Sequence, residues 1–127
     1  MPPAPSPTWI TLWLPVAAYM AMLFVFSSFS TLPSPPGDLS AYDMHIAAYA
    51  GLGAVTARAT GKGLRTVSWR AVLVAIVISS AYGVTDEYHQ RFVPGRSFDL
   101  LDMAADAMGS VVGACAIGAW SRIRRQW

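Results

Sequence analysis

The sequence predicts an all-α integral membrane protein, a four-transmembrane-helix bundle with both termini cytoplasmic, and three observations carry that expectation. Apolar residues make up 54% of the 127-residue chain and charged residues 13%, against ~25% charged in an average soluble domain. Four windows, residues 9–29, 42–59, 69–88 and 100–120, are long enough to cross a hydrocarbon core, which takes ~17–25 apolar residues. Finally, the charges alternate in kind between the connections. Arg58, Lys62, Arg65 and Arg70 join the second and third windows, and Arg122, Arg124 and Arg125 follow the fourth. Lys and Arg are retained on the cytoplasmic side, which puts those segments inside and the other two connections outside. The location expected is the cytoplasmic membrane.

All seven acids, Asp38, Asp43, Asp86, Glu87, Asp99, Asp102 and Asp106, then fall in the outer half, with only Arg91 and Arg96 among the bases. The net charge of +2 thus conceals a dipolar distribution. Topology and anionic lipid account for the basic rim, so no nucleic-acid partner is expected. Trp9, Trp13, Trp69, Trp120 and Trp127 all map near the inner interface, where aromatic belts form.

Each element has its own justification. Residues 1–8, with four prolines, form a flexible lead to a transmembrane domain at 9–121, and 122–127 form a basic cytoplasmic tail. No Lys or Arg precedes the first window and its apolar run is long, so it is read as an uncleaved helix rather than a signal peptide. Pro15 lies in its second turn. Pro33, Pro35, Pro36 and Gly37 make the 30–40 connection a non-helical cover. The second window is the weakest, because Asp43 and His45 open it; three spans is the fallback. Gly61-Lys62-Gly63 supplies the inner turn, and Pro94-Gly95 suits the centre of a type II turn. Ser97 is the expected cap of the fourth helix, leaving Asp99 in its first turn, where a carboxylate suits the helix dipole. Cys115, the sole cysteine, permits no intramolecular disulfide and is read as a packing residue. Ala75, Ser79 and Gly83 on the third helix, and Ala105, Gly109 and Gly113 on the fourth, recur every fourth residue. Such stripes let backbones approach closely, either inside the bundle or across a homodimer seam.

The candidate site is the polar run from Asp86 to Asp106. Asp99, Asp102 and Asp106 stand at i, i+3 and i+7 and share a helix face, as do Asp86, His89 and Gln90. His45 and Tyr49, one turn apart, bring a third helix to the same side. Every member also has a structural explanation. Asp99 can serve the helix start, Asp102 can pair with Arg96, His45 can be an interhelical hydrogen-bonding residue, and Glu87 can be solvated at the interface. Arg91 suits headgroups, and Arg96, held by the Pro-Gly turn, suits an anion. Asp106 lies deepest, and so is either protonated or faces a polar cavity.

These residues carry a resemblance. The order His45-x-x-x-Tyr49-x-x-Leu52, then Asp86-Glu87-x-His89-Gln90-x-Phe92-x-Pro94-Gly95-Arg96-x-x-Asp99-x-x-Asp102-x-x-x-Asp106-x-x-Gly109-x-x-x-Gly113, resembles the VanZ-like family. Phe26-Ser27-Ser28 resembles that family's first-helix ending. Two positions depart from the pattern: Asp106, where asparagine is as common, and Asp43, where a basic residue is more usual. The resemblance implies a small polytopic bacterial membrane protein; the founding member lowers susceptibility to teicoplanin. It implies no settled reaction, substrate or catalytic residue.

Three functions compete. In the first, a non-catalytic module binds an anionic or amphiphilic cell-envelope ligand, such as a lipid-linked cell-wall intermediate or a lipoglycopeptide. Arg91 and Arg96 hold its anionic group, and His45, Tyr49, Asp86, Glu87, His89, Gln90, Asp99, Asp102 and Asp106 complete the site. In the second, a membrane-embedded hydrolase or phosphatase acts on a lipid-linked substrate, with His45 or His89 as general base, or as divalent-metal ligand with Asp86, Asp102 and Asp106. No HExxH or comparable spacing backs a metal, so no cofactor is assigned; His45, His89 and Asp102 are the candidate ligands. In the third, a scaffolding subunit uses the GxxxG face. A proton-coupled transporter lacks polar groups in the inner half of any span.

Overall fold

Side-chain caps set the start of every helix. The Thr8 hydroxyl accepts from Thr11 N–H, Ser68 from Ala71 N–H, and the Asp99 carboxylate from Leu101 N–H at 2.8 Å. Ser40 and Asp43 cap each other's backbone reciprocally, the capping-box arrangement that satisfies two orphan donors at once. The computed structural model describes residues 5–126. Among these it contains α1 (Trp9–Ser27), α2 (Ala41–Thr60), α3 (Trp69–Gln90) and α4 (Leu100–Arg124), and no strand. Met1–Ala4 of the expected lead, and Trp127 of the expected aromatic belt, lie outside the described residues.

The helices run up-down-up-down. At one end Arg58 donates to the Thr11 carbonyl and Val67 N–H donates to Ser121 Oγ; at the other, α1 meets the end of α3 and α2 meets the start of α4. One end is therefore basic and the other acidic. Trp9, Trp69 and Trp120 are exposed at the basic end. The α4 helix runs four residues past the expected end, which puts Arg122 and Arg124 in its last turn, where cations complement the dipole.

The α1, α3 and α4 helices are long and apolar enough to cross a membrane, whereas α2 falls short of that hydropathy. The reason is its position. It packs against all three neighbours, most extensively α4, while α1 rests on α2 and α3 without touching α4. A helix sheltered on three sides needs little lipid-facing apolar surface and can carry polar residues among its buried positions.

The α2–α4 contact depends on small residues. A Cβ on Gly113 would collide with the Ala50 carbonyl, and one on Gly109 with the Ile46 carbonyl. The GxxxG stripe is thus filled from within the chain, which leaves no homodimer seam on that face. Ala75, Ser79 and Gly83 are likewise buried. Cys115 departs from expectation: it lies exposed on the side of α4 rather than packed inside, because the inward stripe of Gly109, Gly113 and Gly118 passes it by. A spin label on Cys115 in vesicles is expected to collide with oxygen and not with an aqueous nickel chelate. Protection from both would mean that the thiol is packed inside.

Candidate functional site

The site follows from where α3's buried stripe leads. Each helical residue turns about 100°, so Ala75, Ser79 and Gly83 project forward onto Asp86, Glu87 and Gln90, and all six are buried. Small residues give way to acids without the face changing. On α4 the inward stripe starts at Ala105 and Asp106. On α2, Tyr49 is buried and His45 lies one turn nearer the acidic end.

The groups meet as follows. His45 Nδ1 lies 2.8 Å from Asp106 Oδ1, and His45 Nε2 lies 3.6 Å from Asp102 Oδ2. Tyr49 donates to Asp86 Oδ2 at 3.3 Å. Glu87 Oε2 accepts from Asp99 N–H at 3.2 Å, so one acid of α3 holds the start of α4. Arg96 donates through Nε and Nη2 to Gln90 Oε1 at 3.2 and 2.7 Å. Gly83 forms a notch: a Cβ there would stand 3.1 Å from Asp106 Oδ2 and 3.3 Å from a Tyr49 ring carbon.

Glu87 and Asp106 are both 0% exposed, yet Glu87 Oε1 and Asp106 Oδ2 have no hydrogen-bond partner among the described residues, nor has Asp86 Oδ1. Among the described residues, His45 is the only basic side chain within ion-pair distance of any acid. Buried carboxylate oxygens without donors are costly. The arrangement therefore calls for donors, protons or a cation. One ligand atom each from His45, Glu87 and Asp106 can be chosen so that all lie within 4.8 Å of one another.

Four expectations are corrected. Arg96 does not pair with Asp102: it is taken by Gln90, while Asp102 faces His45 on α2. His89 does not join the other polar groups. Its position is about 60° outside the arc of Asp86, Glu87 and Gln90, toward α1, where its ring stacks on Phe24 at 4.4 Å and its Nε2 lies 3.0 Å from Ser28 Oγ. The Ser28 hydroxyl donates to the Phe24 carbonyl at 2.6 Å, so His89 donates in that contact. His89 is thus remote from a metal position shared with His45 and Asp102. Glu87, for which solvation at the interface is the structural alternative, is fully buried. Asp99, rather than Ser97, caps α4. The Pro94-Gly95 turn forms as expected, with Arg96 N–H donating to the Val93 carbonyl and Gly95 at φ +78°.

The sequence places Glu87 among the ligand-binding residues but not among the candidate metal ligands, and Gly83 among the packing residues only. The signal was present: the small-residue stripe continued by one turn reaches Glu87. Ser28 had no signal of its own beyond its place in the family pattern.

A family model described as VanZ/LLP1 matches residues 10–121. The chain belongs to the VanZ-like family. That match spans all four helices, from the second residue of α1 to Ser121 in α4. It includes His45, Glu87, Asp102 and Asp106, the core of this VanZ-like site. No match was found among curated proteins or among solved structures.

Proposed function

We propose that this VanZ-like protein crosses the cytoplasmic membrane four times, with both termini inside, and that its acidic end binds the head of a cell-envelope component from the outer leaflet without converting it. The observation that carries this reading is the set of buried acceptors, Asp86 Oδ1, Glu87 Oε1 and Asp106 Oδ2, converging from α3 and α4 without donors. Arg96 and the exposed Arg91 stand at the same end. Sugar hydroxyls or peptide amines supply donors to the carboxylates, and a phosphate or carboxylate on the same ligand meets the arginines. A lipid-linked cell-wall intermediate fits this chemistry, as does the lipoglycopeptide teicoplanin. The basic end faces the cytoplasm by charge, and α2 spans because it lies within the bundle formed by the other three.

The test is binding of labelled teicoplanin and of a polyprenyl-diphosphate-linked cell-wall precursor to the protein in nanodiscs. Arg96→Ala and Asp102→Asn are expected to insert normally and to weaken binding by about tenfold or more, since hydrogen bonds to charged groups contribute ~1.5–3 kcal/mol. Unchanged binding by both variants, or absence of binding by the wild type, would leave the cluster a structural network.

One observation favours a second reading, a membrane-embedded hydrolase of a lipid-linked substrate. His45 has one ring nitrogen fixed by Asp106, the base-and-orienter arrangement that general-base catalysis uses. Release of phosphate from a lipid-linked phosphate, lost in His45→Gln, would support it. A scaffolding role, by contrast, needs a face other than the GxxxG stripe.

A further inference from the structure

We propose that His45, Glu87 and Asp106 form a site for one divalent transition-metal ion, zinc or manganese, with Asp102 holding the histidine from behind. The inference rests on reading this cluster as a binding site, but it does not require the envelope ligand.

The three residues come from three different helices, α2, α3 and α4, so the ion would tie together the elements that build the acidic end. Their ligand atoms lie within 4.8 Å of one another, and atoms on a tetrahedral ion with bonds of about 2.0–2.2 Å lie about 3.3–3.6 Å apart. A closing movement of about an ångström completes the geometry. Two fully buried oxygens, Glu87 Oε1 and Asp106 Oδ2, have no partner among the described residues, an observation separate from the clustering that leaves both oxygens free to bind a cation. The charges agree as well. Asp102 and Asp106 lie against His45, Glu87 completes the cluster, and Arg96 donates to Gln90 rather than to any of these acids.

The histidine has its expected support. Nδ1 is the ring nitrogen on the Asp106 side and Nε2 the one on the Asp102 side. With Nδ1 on the ion, Nε2–H points to Asp102, the carboxylate–histidine–metal relay that fixes tautomer and ring orientation. A mixed nitrogen and oxygen donor set without thiolate suits zinc or manganese; Cys115 lies elsewhere, exposed on α4. The notch at Gly83 keeps side-chain bulk away from Asp106 Oδ2.

The full-length protein, purified in detergent and stripped with chelator, is to be titrated with zinc and manganese chlorides by calorimetry, with no lipid ligand added. Elemental analysis gives the stoichiometry. The expected result is one ion per chain for wild type and for Asp38→Asn, whose carboxylate lies outside the site, and loss of that ion in Glu87→Gln and Asp106→Asn. Asp102→Asn, a change behind the ligand, is expected to weaken binding roughly 10–100-fold. Should the variants fail to fold, the wild type still decides: no saturable binding, or no metal-dependent rise in Tm, overturns the site. Retention of one ion in folded Glu87→Gln and Asp106→Asn overturns it equally. Ligand binding that persists in chelator would separate failure of this site from failure of the envelope-ligand reading.

Discussion

Gly113→Leu is expected to prevent accumulation of the folded protein. The added Cβ alone would collide with the carbonyl of Ala50, with its carbonyl carbon at 2.6 Å and its Cα at 2.9 Å. These are backbone atoms inside a helix and cannot rotate away. Overpacking a core costs about 1–3 kcal/mol where side chains can adjust, so the loss here is expected at or above the top of that range. The contact disrupted is the most extensive in the molecule, α2 on α4, and the His45–Asp106 pair depends on it. Val112→Leu, one residue away and half-exposed on the lateral surface, is the control and is expected to be neutral. Thermal melts of both variants in detergent check the difference. A folded, monomeric Gly113→Leu protein made from a dimeric wild type would instead place that stripe between two chains.

His45→Leu, measured in chelator, is expected to cost about 3–5 kcal/mol, the usual loss when one partner of a buried ion pair is removed. It leaves Asp106, fully buried, without its only side-chain partner among the described residues. The second substitution Asp106→Asn removes the carboxylate and is expected to recover part of the loss, with a coupling energy of roughly 1–3 kcal/mol. Denaturant melts of the four proteins in the cycle measure it. Additive losses would mean that the two side chains stand near each other without depending on each other.

Much of this architecture is legible in the sequence because lipid imposes few choices. The helices start within a residue of the apolar windows, at Trp9, Ala41, Trp69 and Leu100, since caps and prolines leave little freedom. The weak apolar signal over α2 also has a physical meaning: a helix wrapped by its neighbours can carry His45 and Arg58. The site was legible as a set of residues on one end and less so as a set of pairs. His89 shares a turn with Asp86, but a displacement of about 60° sends it to α1 and Ser28. Arg96 and Asp102 are close in sequence, yet the turn directs the guanidinium back to Gln90, while Asp102 belongs to α2's side of α4. Ser97 lost the capping role to Asp99 because Glu87 takes the Asp99 N–H and holds the chain extended as far as Asp99, where φ is −127°. Each of these outcomes depends on a contact between helices, which spacing along one helix does not encode.

We read the acidic end as a site for a ligand rather than a self-contained polar network. A high-resolution map of the protein purified in native lipid tests it most directly. Non-protein density is expected within bonding distance of Glu87 Oε1 and Asp106 Oδ2, beneath the Arg96 turn. Carboxylates that close on one another or on His45, satisfied entirely by the chain's own donors with nothing between them, would contradict it.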